Sequence, residues 1–156
     1  MEVDVDPQLV VELAQISVSK VAPEELAIFD DTVADFFRDP DGTVNPAHRD
    51  EAVGFGLDAS LATPYVLAVA IPVVQYLVSV VVQTTKEEAG SVVSGWVRRL
   101  FRRGDTQPPP PGPALTVEQG KRVRAIAFEK ARALGVPDGQ AALLADSVSG
   151  GLLTAG

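Results

Sequence analysis

Hydrophobic and polar positions along most of this chain follow the spacing of amphipathic α-helices. An aspartate before a proline at Asp6-Pro7 predicts the capped start of a first helix. Pro23, which is followed by two glutamates, predicts the start of a second helix with acids favourably placed in its first turn. The turn-forming segment Asp39–Gly42 ends it. We expect the two helices, at about 7–38, to pack as an acidic hairpin.

The stretch from residue 59 to residue 85 contains no charged side chain. Its central part, Tyr65–Gln83, would be about 28 Å long as a helix, close to the roughly 30 Å hydrocarbon core of a bilayer. The many β-branched residues would suit a buried strand, but the segment is far longer than a usual strand. We therefore predict a long apolar helix that is kinked at Pro72 or divided there into two helical pieces.

A narrow polar stripe interrupts this apolar helix. Gln75, Ser79 and Gln83 recur at every fourth position, and Pro72 lies three residues before the first of them. In a membrane the stripe would need partners, from another helix or from a water-filled lumen, so these four residues are a candidate membrane or oligomer contact. In a soluble bundle, the same stripe would lie at the solvent edge of a buried helix.

A second membrane signal follows the apolar segment. Between residues 92 and 103, apolar and aromatic side chains occupy one side of a helical wheel and arginines occupy the other. This segregation is typical of an interfacial helix that binds an anionic membrane surface. The predicted membrane-surface residues are Trp96, Leu100, Phe101, Arg98, Arg99, Arg102 and Arg103.

The composition changes at the proline run Gln107–Pro113, which predicts an extended linker. Beyond it, Thr116 and Gln119 fit a capping box, and Gly135 predicts the end of that helix before a last one. This C-terminal hairpin, with about 35 residues, is smaller than most domains that fold alone, so we expect it to dock on a protein partner. The expected domains are an acidic N-terminal helical hairpin and loop (1–58), the apolar helix plus a basic amphipathic helix (59–104), the Pro-rich linker (105–115) and the C-terminal helical hairpin (116–156).

Charge is distributed unevenly along the chain. Residues 1–58 hold fourteen acidic and three basic side chains, whereas residues 59–156 hold seven acidic and ten basic ones. The two ends are therefore suited to different surroundings, and the acidic half disfavours a nucleic-acid partner through repulsion. The N-terminus lacks the basic and apolar regions of a secretory signal, so the expected location is the cytoplasmic side. Nine arginines against four lysines indicate a high-GC bacterial genome.

No sequence pattern predicts a catalytic residue, a cofactor or a metal site. The absence of cysteine excludes disulfides and thiolate zinc sites, and His48 is the single histidine. The glycines at 54 and 56 lack the preceding strand and the third glycine of a phosphate loop. The acids around Gly42 do not have the spacing of a calcium loop.

Two functional hypotheses follow. The leading one is an all-α, non-enzymatic, membrane-associated protein that acts through a protein partner or as a homo-oligomer, and its sharper form is a membrane-perturbing effector. The alternative is a soluble, cytoplasmic adaptor in which the apolar helix is buried in the protein's own core.

Overall fold

The computed structural model describes residues 6–39, 62–85, 90–101 and 115–152, and these residues form an all-α fold. The predicted fold class is thereby confirmed, together with the long apolar helix, the basic amphipathic helix and the C-terminal hairpin. Residues 105–114 of the predicted Pro-rich linker lie outside the described residues. The elements in chain order are α1 (Pro7–Val21), a 3₁₀ helix (Pro23–Ile28), α2 (Phe29–Arg38), α3 (Thr63–Thr85), α4 (Gly90–Leu100), α5 (Val117–Ala133) and α6 (Asp138–Gly150).

Helix α1 begins as the sequence predicts, with Asp6 as the cap and Pro7 at the first helical position. The Asp6 carboxylate accepts a hydrogen bond of 2.9 Å from the backbone N–H of Gln8. The prediction of one α-helix beginning at Pro23 is wrong for its first part, because residues 23–28 form a 3₁₀ helix and the α-helix begins at Phe29. The backbone of Ile28, at φ −116° and ψ 15°, separates the two.

The two N-terminal helices do not form the closely packed hairpin that we expected. Helix α1 packs mainly against α3, α6 and the 3₁₀ helix, whereas α2 packs mainly against α3 and the 3₁₀ helix. The α1 and α2 helices are therefore held by a common neighbour, α3. A groove remains between them.

Helix α3 is the central element and packs against α1, α2, α4, α5 and α6. It continues without a break through Pro72, so the alternative with two helical pieces is wrong. Every residue from 62 to 70 is buried, because helices surround this part of α3. Beyond it, only one side of the helix is buried, with Val73, Val74, Leu77 and Val81 facing the core.

The C-terminal hairpin forms from local signals that the sequence carries. Thr116 Oγ1 accepts from the backbone N–H of Gln119 at 3.1 Å, and Gln119 Oε1 accepts from the backbone N–H of Thr116 at 3.0 Å. Gly135 adopts φ 91° just after α5, a left-handed conformation that glycine adopts without strain. The hairpin packs on α3 and α1 of its own chain. Its binding of a separate protein stays a prediction.

The end of α6 is fixed against α1 by two contacts. Lys20 Nζ donates to the carbonyl oxygen of Gly150 at 2.9 Å, which places a cation at the negative end of the helix dipole. The next residue, Gly151, is buried, and a Cβ there would lie 3.0 Å from Ile16 Cγ2. A side chain at this position would therefore require Ile16 to shift by a few tenths of an ångström.

We expect Gly151→Ala and Gly139→Ala to have opposite effects on stability. At Gly151 the added methyl group crowds Ile16 and should lower the free energy of unfolding by about 1 kcal/mol. At Gly139, in the first turn of α6, an added Cβ meets nothing within 4 Å. Alanine is a better helix former than glycine, so this substitution should raise the free energy of unfolding by about 0.5 kcal/mol. Urea unfolding measures both values, and a stabilised Gly151→Ala variant would contradict the close approach of α1 and α6.

Candidate functional site

The predicted polar stripe of α3 lies on the outer face of the second half of that helix. Ser79 and Gln83 are exposed, and Pro72 and Gln75 are half-buried. Ser79 Oγ donates to the carbonyl oxygen of Tyr76 at 2.7 Å, one turn earlier in the same helix. The structure thus brings the four predicted residues together on one face, and that face points away from the buried core. Their role as a membrane or oligomer contact stays a prediction.

Helix α3 has the length and composition of a membrane span. The segment Thr63–Thr84 has a mean hydropathy of 2.3, and it is the one such helix among the described residues. The core helix of a soluble protein has the same length and composition, and 56% of the most apolar part of α3 is buried inside the bundle. Length and hydropathy alone therefore leave both hypotheses open.

The predicted membrane-surface residues of α4 are divided between the core and the surface. Leu100 and Phe101 are buried in the core, next to the buried Val93 and Val97, while Trp96 is half-buried. The apolar face of α4 packs on α3, so in the closed bundle this face is covered by protein. Binding of a bilayer through Leu100 and Phe101 would require α4 to separate from α3.

The two predicted arginines within the described part of α4 both have intramolecular partners. Arg98 donates to Glu12 Oε2 at 2.9 Å and to Gln8 Oε1 at 3.1 Å, which fastens α4 to α1. The guanidinium carbon of Arg99 lies 4.7 Å from the ring centroid of Trp96, the geometry of a cation–π contact. Arg102 and Arg103 lie outside the described residues. The membrane-surface role of all four arginines stays a prediction.

Glu25 is a buried carboxylate that the sequence did not mark as important. Its Oε2 accepts from the backbone N–H of Ala62 at 2.9 Å, and its Oε1 accepts from the N–H and the hydroxyl of Thr63 at 2.9 and 2.7 Å. The side chain therefore caps α3 from a different part of the chain. Because the positive end of a helix dipole favours a negative charge, this is also a good electrostatic position for a carboxylate.

The basic side chains of the C-terminal hairpin are partly neutralised within it. Lys121 lies 3.8 Å from Glu118, Arg124 lies 2.6 Å from Asp146, and Arg132 lies 2.9 Å from Asp138. These pairs are exposed, so each contributes little to stability, but each reduces the local positive potential. The hairpin surface is therefore a mixed-charge face, and the exclusion of a nucleic-acid partner stays a prediction.

A groove between α1 and α2 is the second surface that the sequence did not mark. It has a volume of about 490 Å³ and is lined by Pro7, Gln8, Val11, Glu12, Val33 and Phe37. In the sequence, the spacing of the apolar residues Val33 and Phe37 places them on one face of α2 and predicts that this face is buried. In the structure the Phe37 side chain is 39% exposed, so this part of the apolar face of α2 stays uncovered.

No group of three or more His, Asp or Glu side chains that could hold a metal ion occurs within residues 6–39, 62–85, 90–101 and 115–152. No protein-family model matches the chain, and comparisons with curated proteins and with solved structures give no significant match.

Proposed function

We propose that this chain is a non-enzymatic helical interaction protein whose long apolar helix is the core of its own bundle. The observation that carries the proposal is the burial of every residue from 62 to 70, within a helix that contacts the other five described α-helices. Burying a Val or Leu side chain contributes roughly 1.5–3 kcal/mol, and small domains are stable by only about 5–15 kcal/mol. Removing this half of α3 from its neighbours would therefore unfold the protein.

The outer face of α3 supports the same proposal. A helix at the edge of a soluble core places its polar residues toward water, and Gln75, Ser79 and Gln83 are on the uncovered side of α3. The apolar residues opposite them, such as Leu77 and Val81, are buried. The second half of α3 thus has one buried face and one exposed face, as expected of a helix at the edge of a soluble core.

Interaction with a partner, rather than catalysis, is supported by the kind of surface that the bundle presents. Exposed aromatic rings beside a groove are typical of contact sites, and Phe37 borders the groove between α1 and α2. The carboxylates described above instead have structural roles, as in the cap formed by Glu25 and the ion pair formed by Glu12.

A second candidate function is membrane association of an opened form. The observation that favours it is the mean hydropathy of 2.3 over Thr63–Thr84, with half-buried aliphatic side chains such as Ile71 and Val82 beside the polar stripe. Insertion would require α3 to leave the Glu25 carboxylate and α4 to break the bond between Arg98 and Glu12. The apolar face of α4 would then be free to reach lipid.

Vesicle flotation of the full chain tests the proposed function against the second candidate. The full chain should run as a monodisperse species in gel filtration without detergent. It should stay at the bottom of a density gradient when mixed with phosphatidylglycerol vesicles, and dye inside the vesicles should not leak. Flotation that resists salt and carbonate washes would contradict the proposal, and vesicles of neutral phosphatidylcholine are the control for charge.

The double variant Gln75→Leu, Ser79→Leu adds a readout for the membrane-perturbing form. A pore lined by the polar stripe would lose its conductance when these side chains become apolar, so leakage would fall. Under the proposed function, the wild-type protein and the double variant both leave the dye inside the vesicles.

A further inference from the structure

The groove between α1 and α2 is an open and mostly apolar surface. It lies between the first half of α1 and the second half of α2, because the lining residues come from positions 7–12 and 33–37. Four of the six lining residues are apolar, namely Pro7, Val11, Val33 and Phe37. An open apolar surface between two helices is a geometry that can receive one or two turns of a third, amphipathic helix.

Phe37 provides a rigid anchor at the edge of this groove. Its ring meets the ring of Phe36 edge to face, with centroids 5.3 Å apart and planes at 83°. Phe36 is itself only 1% exposed, so the Phe37 ring contacts a side chain that the core holds in place. Aromatic rings that are fixed in this way lose little conformational entropy on binding and are frequent binding hot spots.

The one acidic residue that lines the groove has its charge compensated. The Glu12 carboxylate accepts from Arg98, and the Arg98 guanidinium also donates to Gln8. Recognition inside the groove therefore depends on apolar contact and on shape rather than on an exposed charge.

The rim of the groove is acidic. Asp30 is exposed and precedes Phe37 by seven residues, about two helical turns, so the two side chains project from the same side of α2. Residues 6–39 contain eight acidic and two basic side chains, so the segment that forms the groove keeps a net negative charge even with Arg98 bound to Gln8 and Glu12.

From this apolar floor and acidic rim, we propose that the groove binds an amphipathic α-helix of a protein partner. The apolar face of that helix enters beside Phe37, and its Lys or Arg side chains face Asp30. This inference rests on the proposed function, because the groove exists only while α3 holds α1 and α2 in the closed bundle.

A separate protein fits the groove better than lipid or a second copy of this chain. An anionic membrane surface would be repelled by the acidic rim. A second copy could offer the basic helix α5, but three of the five basic side chains of that helix, Lys121, Arg124 and Arg132, already pair with acids of the same hairpin. A partner helix whose basic residues are unpaired has the complementary charge.

Fluorescence anisotropy with two designed peptides tests this site on the full-length protein. The first peptide is a labelled helix with Leu at positions i, i+3, i+4 and i+7 and Lys elsewhere, and the second carries Glu in place of each Lys. We expect the Lys peptide to bind and the Glu peptide to bind at least tenfold more weakly. Phe37→Ala should weaken binding of the Lys peptide about thirtyfold, the lower bound for the loss of a hot-spot side chain.

Two pairs of variants separate the groove from general attraction between a basic peptide and an acidic protein. Asp30→Asn should weaken binding and reduce its salt dependence, whereas Asp31→Asn, one position further around α2, should change neither. Leu143→Ala removes an exposed apolar side chain of α6 and should leave the affinity unchanged. Circular dichroism of every variant confirms that it is folded.

The inference is overturned if the Lys peptide does not bind, or if Phe37→Ala and Asp30→Asn bind it as the wild type does. A concentration-dependent dimer that Phe37→Ala dissociates would also overturn it, in favour of a second copy as the occupant. Neither result affects vesicle flotation, so failure of the docking site and failure of the proposed function are distinguishable.

Discussion

Leu77→Asp should prevent the bundle from folding, whereas Ser79→Asp should leave it folded and dispersed without detergent. Leu77 is 0% exposed and faces the core, while Ser79 lies two residues further along α3, on its outer face. A buried carboxylate without a partner costs several kcal/mol, a large part of the stability of a small domain. At position 79 the same carboxylate remains in water, so we expect a change within about 0.5 kcal/mol.

The two variants are a matched pair, because both place a negative charge in the same helical turn. Circular dichroism and gel filtration without detergent give the readout, and Leu77→Ala, with an expected loss of about 2–5 kcal/mol in urea unfolding, shows whether the effect is graded. In a lone span surrounded by lipid, an aspartate near the middle costs about 2.5–3.5 kcal/mol on either face, so Ser79→Asp would then be as damaging as Leu77→Asp. Equal damage would contradict the bundle account.

Glu25→Ala should lower the free energy of unfolding by about 3 kcal/mol. The substitution removes a carboxylate that accepts from two backbone N–H groups and one hydroxyl, and hydrogen bonds to charged groups each contribute about 1.5–3 kcal/mol. When the structure relaxes around the shorter alanine side chain, water reaches some of the N–H and hydroxyl donors. The expected loss of stability is therefore smaller than the sum of the three hydrogen bonds. Urea unfolding measures the loss, and hydrogen exchange should be faster in the first turn of α3.

Glu24→Ala is the control for this cap, because Glu24 is the exposed neighbour of Glu25 in the same 3₁₀ helix. We expect it to change stability by no more than about 0.5 kcal/mol. The loss of stability in Glu25→Gln should fall between the losses in Glu25→Ala and Glu24→Ala, because the single amide oxygen can still accept some of the hydrogen bonds. If Glu25→Ala is no more destabilising than Glu24→Ala, then Glu25 does not cap α3.

The parts of the fold that could be predicted from the sequence depend on short-range chemistry. The cap at Asp6-Pro7, the capping box at Thr116 and the left-handed glycine at 135 each involve residues within a few positions of one another. Local side-chain contacts of this kind decide the helix ends regardless of the surrounding fold. The length and composition of α3 likewise sufficed to predict a helix.

The parts that could not be predicted depend on which surfaces meet. A period of four places Gln75, Ser79 and Gln83 on one face, but it does not say whether that face meets water, lipid or another helix. The role of Glu25 depends on the 3₁₀ helix lying at the start of α3. The sequence contains a weak hint of a cap from elsewhere in the chain, because Ala62, just before α3, has no side chain that can cap the helix. The groove beside Phe37 exists because α1 and α2 both pack on α3, which no local pattern contains.

Cysteine accessibility along α3 tests the central claim most directly. The chain has no cysteine, so Val69→Cys and Ser79→Cys each introduce a single thiol, one at a buried and one at an exposed position. With a water-soluble maleimide in detergent-free buffer, Ser79→Cys should react at the rate of a free thiol. Val69→Cys should react only after urea unfolds the protein, and neither rate should change when phosphatidylglycerol vesicles are added. Rapid labelling of Val69→Cys in buffer, or protection of Ser79→Cys by the vesicles, would contradict the account.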